Sequence, residues 1–473
     1  MEKTKLTQGK ITAYGFLLFT TSLPAMLQMM YINVFMTDYA GISASVTAAT
    51  LLIARIIDFI FGFLTGPMVE KIHLPWGKYR SWLLLMRWIA MVGIILEFFP
   101  SGKGTPLALK VLIAIVGYSF YNIGMSLTVA PYYALGPMLA GDDMQARMAL
   151  SMRGQMFMTA SMLIVSAITV PFVTAMQSIV SPTMAYMVCA VIYCIPLVIG
   201  CQLVNNISRE VDPGGVKHEA KNTVGIKEMV AAIGQNKYLL VLIIVQALTN
   251  IASNIGSGIG SYYWIYVVGN FLLMSLASTI GMVFSLIFST FVPKVFATRL
   301  GKRKGMIIGL LLMGLCGIGR FFCGANWPIM VVFNIIGSFF GFFYSGFGAN
   351  YFIDAGEAHL YKTGKDLRTV AAALYGIPLK IGFMFGGAIA GFGLAAIGYE
   401  AGMVFDAAMT TKFLFLFHVV PSIIMIVGSI IFAIGYDLSD EQAAMYAKAN
   451  YEKMIAAQGG PAPAPAVEEK TEE

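Results

Sequence analysis

Long apolar runs broken by short polar clusters dominate the chain. Residues 154–208 contain no Asp, Glu, Lys or Arg, and neither do residues 238–293. Each run exceeds one bilayer crossing of ~20 residues and is about long enough for two. Reading the whole chain in this way predicts twelve spans, at 11–37, 43–69, 81–99, 106–137, 149–176, 182–205, 236–263, 267–292, 304–324, 327–352, 372–397 and 411–436. Between spans 6 and 7 lies the longest polar connection, with a turn at Asp212-Pro213-Gly214-Gly215 and an amphipathic segment at 223–234. That connection divides the chain into an N-terminal six-helix bundle (1–205), an interdomain loop (206–235) and a C-terminal six-helix bundle (236–440). The tail, 441–473, reads as a polar helix followed by a disordered Pro-Ala-rich acidic end. The expected fold class is an all-α polytopic membrane protein of two pseudo-symmetric bundles.

Composition agrees. Apolar residues make up 58% of the 473, and the charged set only 12%, too little to keep a soluble chain of this length in water. The net charge of +7 would suit nucleic acid, but its location argues against that partner. Basic residues crowd the even-numbered connections: Lys71, Lys78 and Arg80; Arg147; Lys294 to Lys304; Lys362, Lys365 and Arg368. That asymmetry places both termini and the even connections in the cytoplasm. The five cysteines sit in apolar stretches without CxxC spacing, which reads as core packing. Neither a metal cluster nor a hydrolase motif such as HExxH is present, so an enzyme is not expected.

Ionisable residues within apolar spans carry the functional expectation, because each is costly unless paired, solvated or used. Asp58 lies in span 2, one turn after Arg55. It reads either as a local pair with Arg55 or as a cation or proton site facing a central cavity. Lys380, in span 11 after Pro378, reads as the charge partner of Asp58 or as a donor to an anionic or hydroxylated substrate. Arg153, entering span 5, joins it as a candidate charge partner. Tyr121, Tyr133 and Tyr375, with Asn254, are candidate substrate contacts, since rings and hydroxyls suit the faces and edges of a sugar. Tyr262, Tyr263, Trp264 and Tyr266 close span 7 and read as an interfacial belt. Gly77-Lys78-Tyr79-Arg80 after span 2 and Gly301-Lys302-Arg303-Lys304 after span 8 occupy matched places, which favours a duplicated six-plus-six transporter.

The chain resembles the glycoside–pentoside–hexuronide:cation symporters, the melibiose-permease-like branch of the major facilitator superfamily. The similarity runs through Arg55-Ile-Ile-Asp58, Gly62, Gly66-Pro67 and Trp76-Gly77-Lys78-Tyr79-Arg80-Ser81-Trp82. It continues in Thr37-Asp38, Pro131-Tyr132, Arg147 to Arg153, Asn236-Lys237, and Asp354 followed by Lys362-Thr363-Gly364-Lys365. The resemblance implies symport of a glycoside or sugar-like solute with H⁺, Na⁺ or Li⁺, by alternating access in the cytoplasmic membrane. It matches Asp58 to the family's cation-site aspartate and Lys380 to its span 11 lysine. Lys78, Arg80, Asp142, Arg147 and Asp354 fall at the cytoplasmic gating positions. The chain departs from the family where a second aspartate would follow Asp58, which is Gly62, and at Phe61, Val129 and Ser22. An incomplete Na⁺ shell makes H⁺ the expected coupling ion, and Lys380 favours an anionic sugar such as a uronide or sulfonated sugar. No cofactor or resident metal is expected, and membrane lipids and a small-molecule glycoside are the expected partners of a functional monomer. The alternatives are a transporter of lipids, peptides or drugs on the same fold, and a non-transporting sensor.

Overall fold

Polar residues between the apolar runs become the helix starts. Asp143 accepts from the backbone N–H of Gln145 and Ala146, Asn236 from those of Tyr238 and Leu239, and Asp406 from that of Met409. Ser181 caps the helix that begins at Pro182, whose missing N–H costs nothing in a first turn. The computed structural model describes residues 6–72, 74–99, 104–141, 143–214, 226–345 and 348–457. Asp142 and the end of the tail lie outside the described residues, as does the middle of the connection between spans 6 and 7.

Spans 1 to 6 are Gln8–Val34, Ala44–Lys71, Arg80–Glu97, Leu107–Ala140, Met144–Met176 and Pro182–Ile207. A helix over Ile226–Gln235 follows, close to the expected amphipathic segment. Spans 7 to 10 are Lys237–Tyr262, Leu272–Leu300, Lys302–Phe321 and Trp327–Ser345. A further helix, Gly348–Thr363, carries Asp354. Span 11 is Ile377–Ala396, and span 12 runs from Ala407–Leu414 into Val420–Gly435. The tail helix is Asp440–Ala457. Among the described residues nine helices are long and apolar enough to cross a membrane, and Leu272–Phe288 and Trp327–Phe342 are shorter apolar helices. Span 3 completes the twelve; its 18 residues include Arg80, Arg87 and Glu97, which lower its hydropathy.

One expected span is divided. The sequence predicts a continuous helix over 372–397, but a short helix, Arg368–Leu374, ends before Tyr375-Gly376 and span 11 starts afresh at Ile377. Lys380 therefore sits in the first turn after a break.

Small residues set the tightest contacts, as expected where helices associate by close packing. A Cβ on Gly93, Gly117 or Gly124 would strike the backbone of the neighbouring span, which draws spans 3 and 4 together. Span 11 presents Gly382 and Gly386 to Asn250, Ile251 and Asn254 of span 7, and Gly387 and Gly391 to Arg55 and Ala48 of span 2. It is thus the helix through which the C-terminal bundle meets span 2.

Two local devices recur in both bundles. Asp212, following span 6, accepts hydrogen bonds from the backbone N–H of Lys78 (2.8 Å), Tyr79 (2.8 Å) and Arg80 (2.9 Å) at the start of span 3. Asp440, following span 12, accepts from the Lys302 N–H (2.5 Å) at the start of span 9. Gly77 and Gly301 precede these starts with φ of 132° and 72°, conformations that a side chain rarely adopts. The second device is a π-helical turn. Span 1 continues as Phe35–Tyr39 and span 7 as Tyr263–Val267. Each closes the same way, with Ala40 N–H on Phe35 O and Ile42 N–H on Met36 O, then Val268 N–H on Tyr263 O and Asn270 N–H on Trp264 O.

Candidate substrate and cation site

Span 2 carries Asp58 and Arg55 to the junction with span 11, and their surroundings decide between the two readings of Asp58. No ion pair joins them. Arg55 instead donates Nε to the Tyr118 hydroxyl at 3.2 Å, and its Nη1 has no hydrogen-bond partner. Oδ1 of Asp58 is also without one. The charge acting on Asp58 comes from across the junction, from Lys380. The Lys380 ammonium lies where a Cβ on residue 62 would be, so a side chain there would displace it. In the same way the Arg55 guanidinium fills the place of a Cβ on Gly387. A side chain at position 62 would therefore meet a cation from the other bundle.

Behind Arg55, inside the N-terminal bundle, is a carboxylate that sequence reasoning passed over. Glu97 is 3% exposed, and its Oε2 accepts from Gln28 Nε2 at 2.7 Å. Gln28 Oε1 faces Asn122 Nδ2 at 3.4 Å, and Asn122 also donates to the Tyr118 carbonyl at 2.9 Å. A continuous polar layer thus runs from span 1 through spans 3 and 4 to Arg55 in span 2. Glu97 ends an apolar helix beside Phe98-Phe99-Pro100, where a charge resembles an interfacial residue; an amide at Gln28, deep in span 1, was the available signal.

A second cross-bundle cluster lies at the end of the molecule away from the chain termini. Asp38 accepts from Tyr266 at 2.8 Å and from Tyr399 through a short hydrogen bond. Thr37 and Tyr262 pair their hydroxyls at 2.7 Å, Asn33 Nδ2 donates to Gly258 O at 2.9 Å, and Ser261 donates to Met30 O at 2.9 Å. The tyrosines expected to form an interfacial belt are therefore turned inward here. Their hydroxyls find acceptors inside, Tyr262 on Thr37, Tyr263 on Gly324 O and Tyr266 on the part-buried Asp38, which outweighs the affinity of a ring for the bilayer surface.

The other candidate residues do not gather at the junction. Tyr121, whose backbone in span 4 lies against Gly93 of span 3, is 1% exposed and has an unpartnered hydroxyl. Tyr133 is 58% exposed, with its ring against Tyr132. Tyr375 is also exposed and packs on Phe352 at the helix break. Asn254 donates to Asn250 O at 2.9 Å along span 7, beside Gly386. Arg153 lays its stem on Gly15 of span 1. Of the gating positions, Lys78 and Arg80 meet Asp212, Arg80 donating Nε to its carbonyl at 2.8 Å. Arg147 donates to Gly141 O, and Asp354 pairs with Lys302. None of these contacts joins the N-terminal bundle to the C-terminal one.

Two six-helix bundles that place opposite charges at their junction define a secondary transporter. The chain belongs to the MFS/sugar transport protein family, whose model matches residues 13–440. This is a family of membrane transporters, not enzymes, and the protein is a multi-pass membrane protein with a small sugar-like substrate. It is similar to an isoprimeverose transporter of Lactiplantibacillus pentosus, 27% identical over 391 residues that cover 81% of this chain and 79% of the relative. It is also similar to a putative sulfoquinovose importer of Escherichia coli, 25% identical over 446 residues and 93% of each chain. Among solved structures, a bacterial homologue of the human drug peptide transporters aligns with a TM-score of 0.64 at 12% identity, covering 90% of this chain and 97% of the other. That likeness establishes the fold alone.

Proposed function

We propose that the protein imports a glycoside or anionic sugar derivative by symport with a proton, acting as a monomer in the cytoplasmic membrane with both termini in the cytoplasm. The observation that carries this reading is the convergence of Asp58, Arg55 and Lys380 at the junction of spans 2 and 11. A single carboxylate binds one proton, whereas a Na⁺ ion needs several oxygens. Phe61, Gly62 and Val129 supply no side-chain oxygen for that shell. Two cations against one carboxylate at the junction suit a substrate with negative charge, since charge complementarity is strong away from water. Relatives named for isoprimeverose and for sulfoquinovose fit a sugar-like solute. Alternating access follows if the two bundles rock about this junction, with the 6–7 connection as the link between them.

Uptake into proteoliposomes tests the reading. Accumulation of labelled methyl glucuronide without Na⁺, collapsed by a protonophore and lost in Asp58→Asn, is the expected result. Strict dependence on Na⁺ overturns the coupling assignment. Competition by neutral galactosides alone overturns the anionic substrate.

A further inference from the structure

The polar layer behind Arg55 has a charge count of its own. Arg55 acts electrostatically on Glu97, and Glu97 and Asp58 both act on Tyr118, the hydroxyl that Arg55 holds. With every group ionised, Glu97 and Asp58 balance Arg55 and Lys380. The layer is then neutral and offers an anion little net attraction. We infer that Glu97 is a second proton-binding carboxyl of the transport cycle, whose protonation leaves the charge of the Arg55 guanidinium uncompensated and available to an anionic substrate.

Geometry supports the assignment. Oε2 of Glu97 is held by Gln28, while Oε1 has no donor in its buried position. A buried carboxylate oxygen without a donor is expensive when charged, and a proton removes the cost. The groups around Glu97 come from three spans: Gln28 from span 1, Arg55 from span 2, and Tyr118, Tyr121 and Asn122 from span 4, with no other carboxylate among these described residues. Span 6 brings Cys194 to Tyr121, and Lys110 of span 4 lines a small cavity that also reaches Glu97. The step is one of charge. A proton from water adds to Oε1, the carboxylate becomes a neutral acid, and the layer gains one positive charge. Arg55, with an unpaired Nη1 set against Gly387 of the other bundle, is the group that presents this charge at the junction. The anion then binds, and its departure favours loss of the proton, because the coupling between two ligands is reciprocal.

This inference rests on the anionic-substrate reading, and the test separates the two. In titrations of the purified full-length protein with methyl glucuronide, binding is expected to weaken about tenfold per pH unit on the alkaline side, the slope for one linked proton. Glu97→Gln, neutral at all pH values, is expected to flatten that slope, whereas a merely structural role leaves it in place. A wild-type slope in Glu97→Gln overturns the inference. If Asp58→Asn flattens the slope and Glu97→Gln does not, coupling belongs to Asp58 alone; the proposed function stands and this inference falls. If methyl glucuronide does not bind, the substrate reading fails, and the proton is sought without ligand by infrared spectroscopy. A titrating carboxylic C=O band present in the wild type and in Asp58→Asn but absent from Glu97→Gln supports the inference, and no such band in the wild type overturns it. Should Glu97→Gln fail to fold, Gln28→Leu must move the midpoint of that band, and an unmoved midpoint overturns the assignment.

Discussion

The cluster around Asp38 predicts how hard the two bundles are held together at the end away from the chain termini. Asp38 accepts from Tyr266 and Tyr399, which belong to the other bundle. Hydrogen bonds to a charged acceptor contribute about 1.5–3 kcal/mol each. Asp38→Asn retains a carbonyl acceptor but loses the charge, so roughly half of the combined value, about 2 kcal/mol, should go. That is a ~30-fold shift toward the open state at this end. If the closed form is about 99% populated before the change, the open form rises to about a quarter. Spin labels at Ser43→Cys and Glu400→Cys, both exposed and both at the rim of this end, report the separation by electron–electron resonance. Tyr399→Phe alone should produce a smaller shift of the same sign. The double variant should fall short of the sum, since the two changes remove one shared bond. A distance distribution unchanged by Asp38→Asn refutes the argument, because it means that these bonds do not hold the closed state.

Three further outcomes follow from the packing. Asp212→Ala leaves three backbone donors without their acceptor and should cost about 3 kcal/mol, whereas Asp366→Asn, at an exposed pair with Arg368, should stay within ~0.5 kcal/mol; thermal unfolding in detergent distinguishes them, and equal shifts contradict the capping role. Gly62→Ala should displace the Lys380 ammonium and impair uptake much as Lys380→Ala does, with the double variant no worse than either, while additive losses would show that the two residues act apart. Gly93→Ala drives a methyl into the Tyr121 backbone and should destabilise by about 1–3 kcal/mol in the same unfolding assay, and a neutral effect would mean that spans 3 and 4 have room to part.

Hydropathy made the spans legible, because a helix in lipid must be predominantly apolar over ~20 residues. Asp58 and Lys380 stood out for the same reason, as charges where charge is costly. What the sequence hid depends on rotation about helix axes. Tyr121, Tyr133 and Tyr375 share a residue type but point into a bundle or outward, and nothing in their spacing distinguishes those directions. Glu97 was hidden by its place at a helix end, where depth in the membrane and proximity to its surface look alike. The break before Ile377 went unread because Tyr375-Gly376 lies within an otherwise apolar stretch. Asp212 was visible only as part of a turn; its work as a cap depends on span 3 coming alongside span 6, a tertiary fact.

The π-helical turns at the ends of spans 1 and 7 have a consequence for symmetry. Asp38 is the fourth residue of the first turn and Tyr266 the fourth of the second, and these two equivalent positions bond to each other. Residues that meet across an axis of twofold symmetry must, in a homodimer, be the same residue facing itself. Two aspartates there would repel, and two tyrosines would leave the clasp without a strong acceptor. Within one chain the two positions can carry different residues. A single chain can therefore hold an unlike pair at matched positions, a lock that two identical subunits could not build.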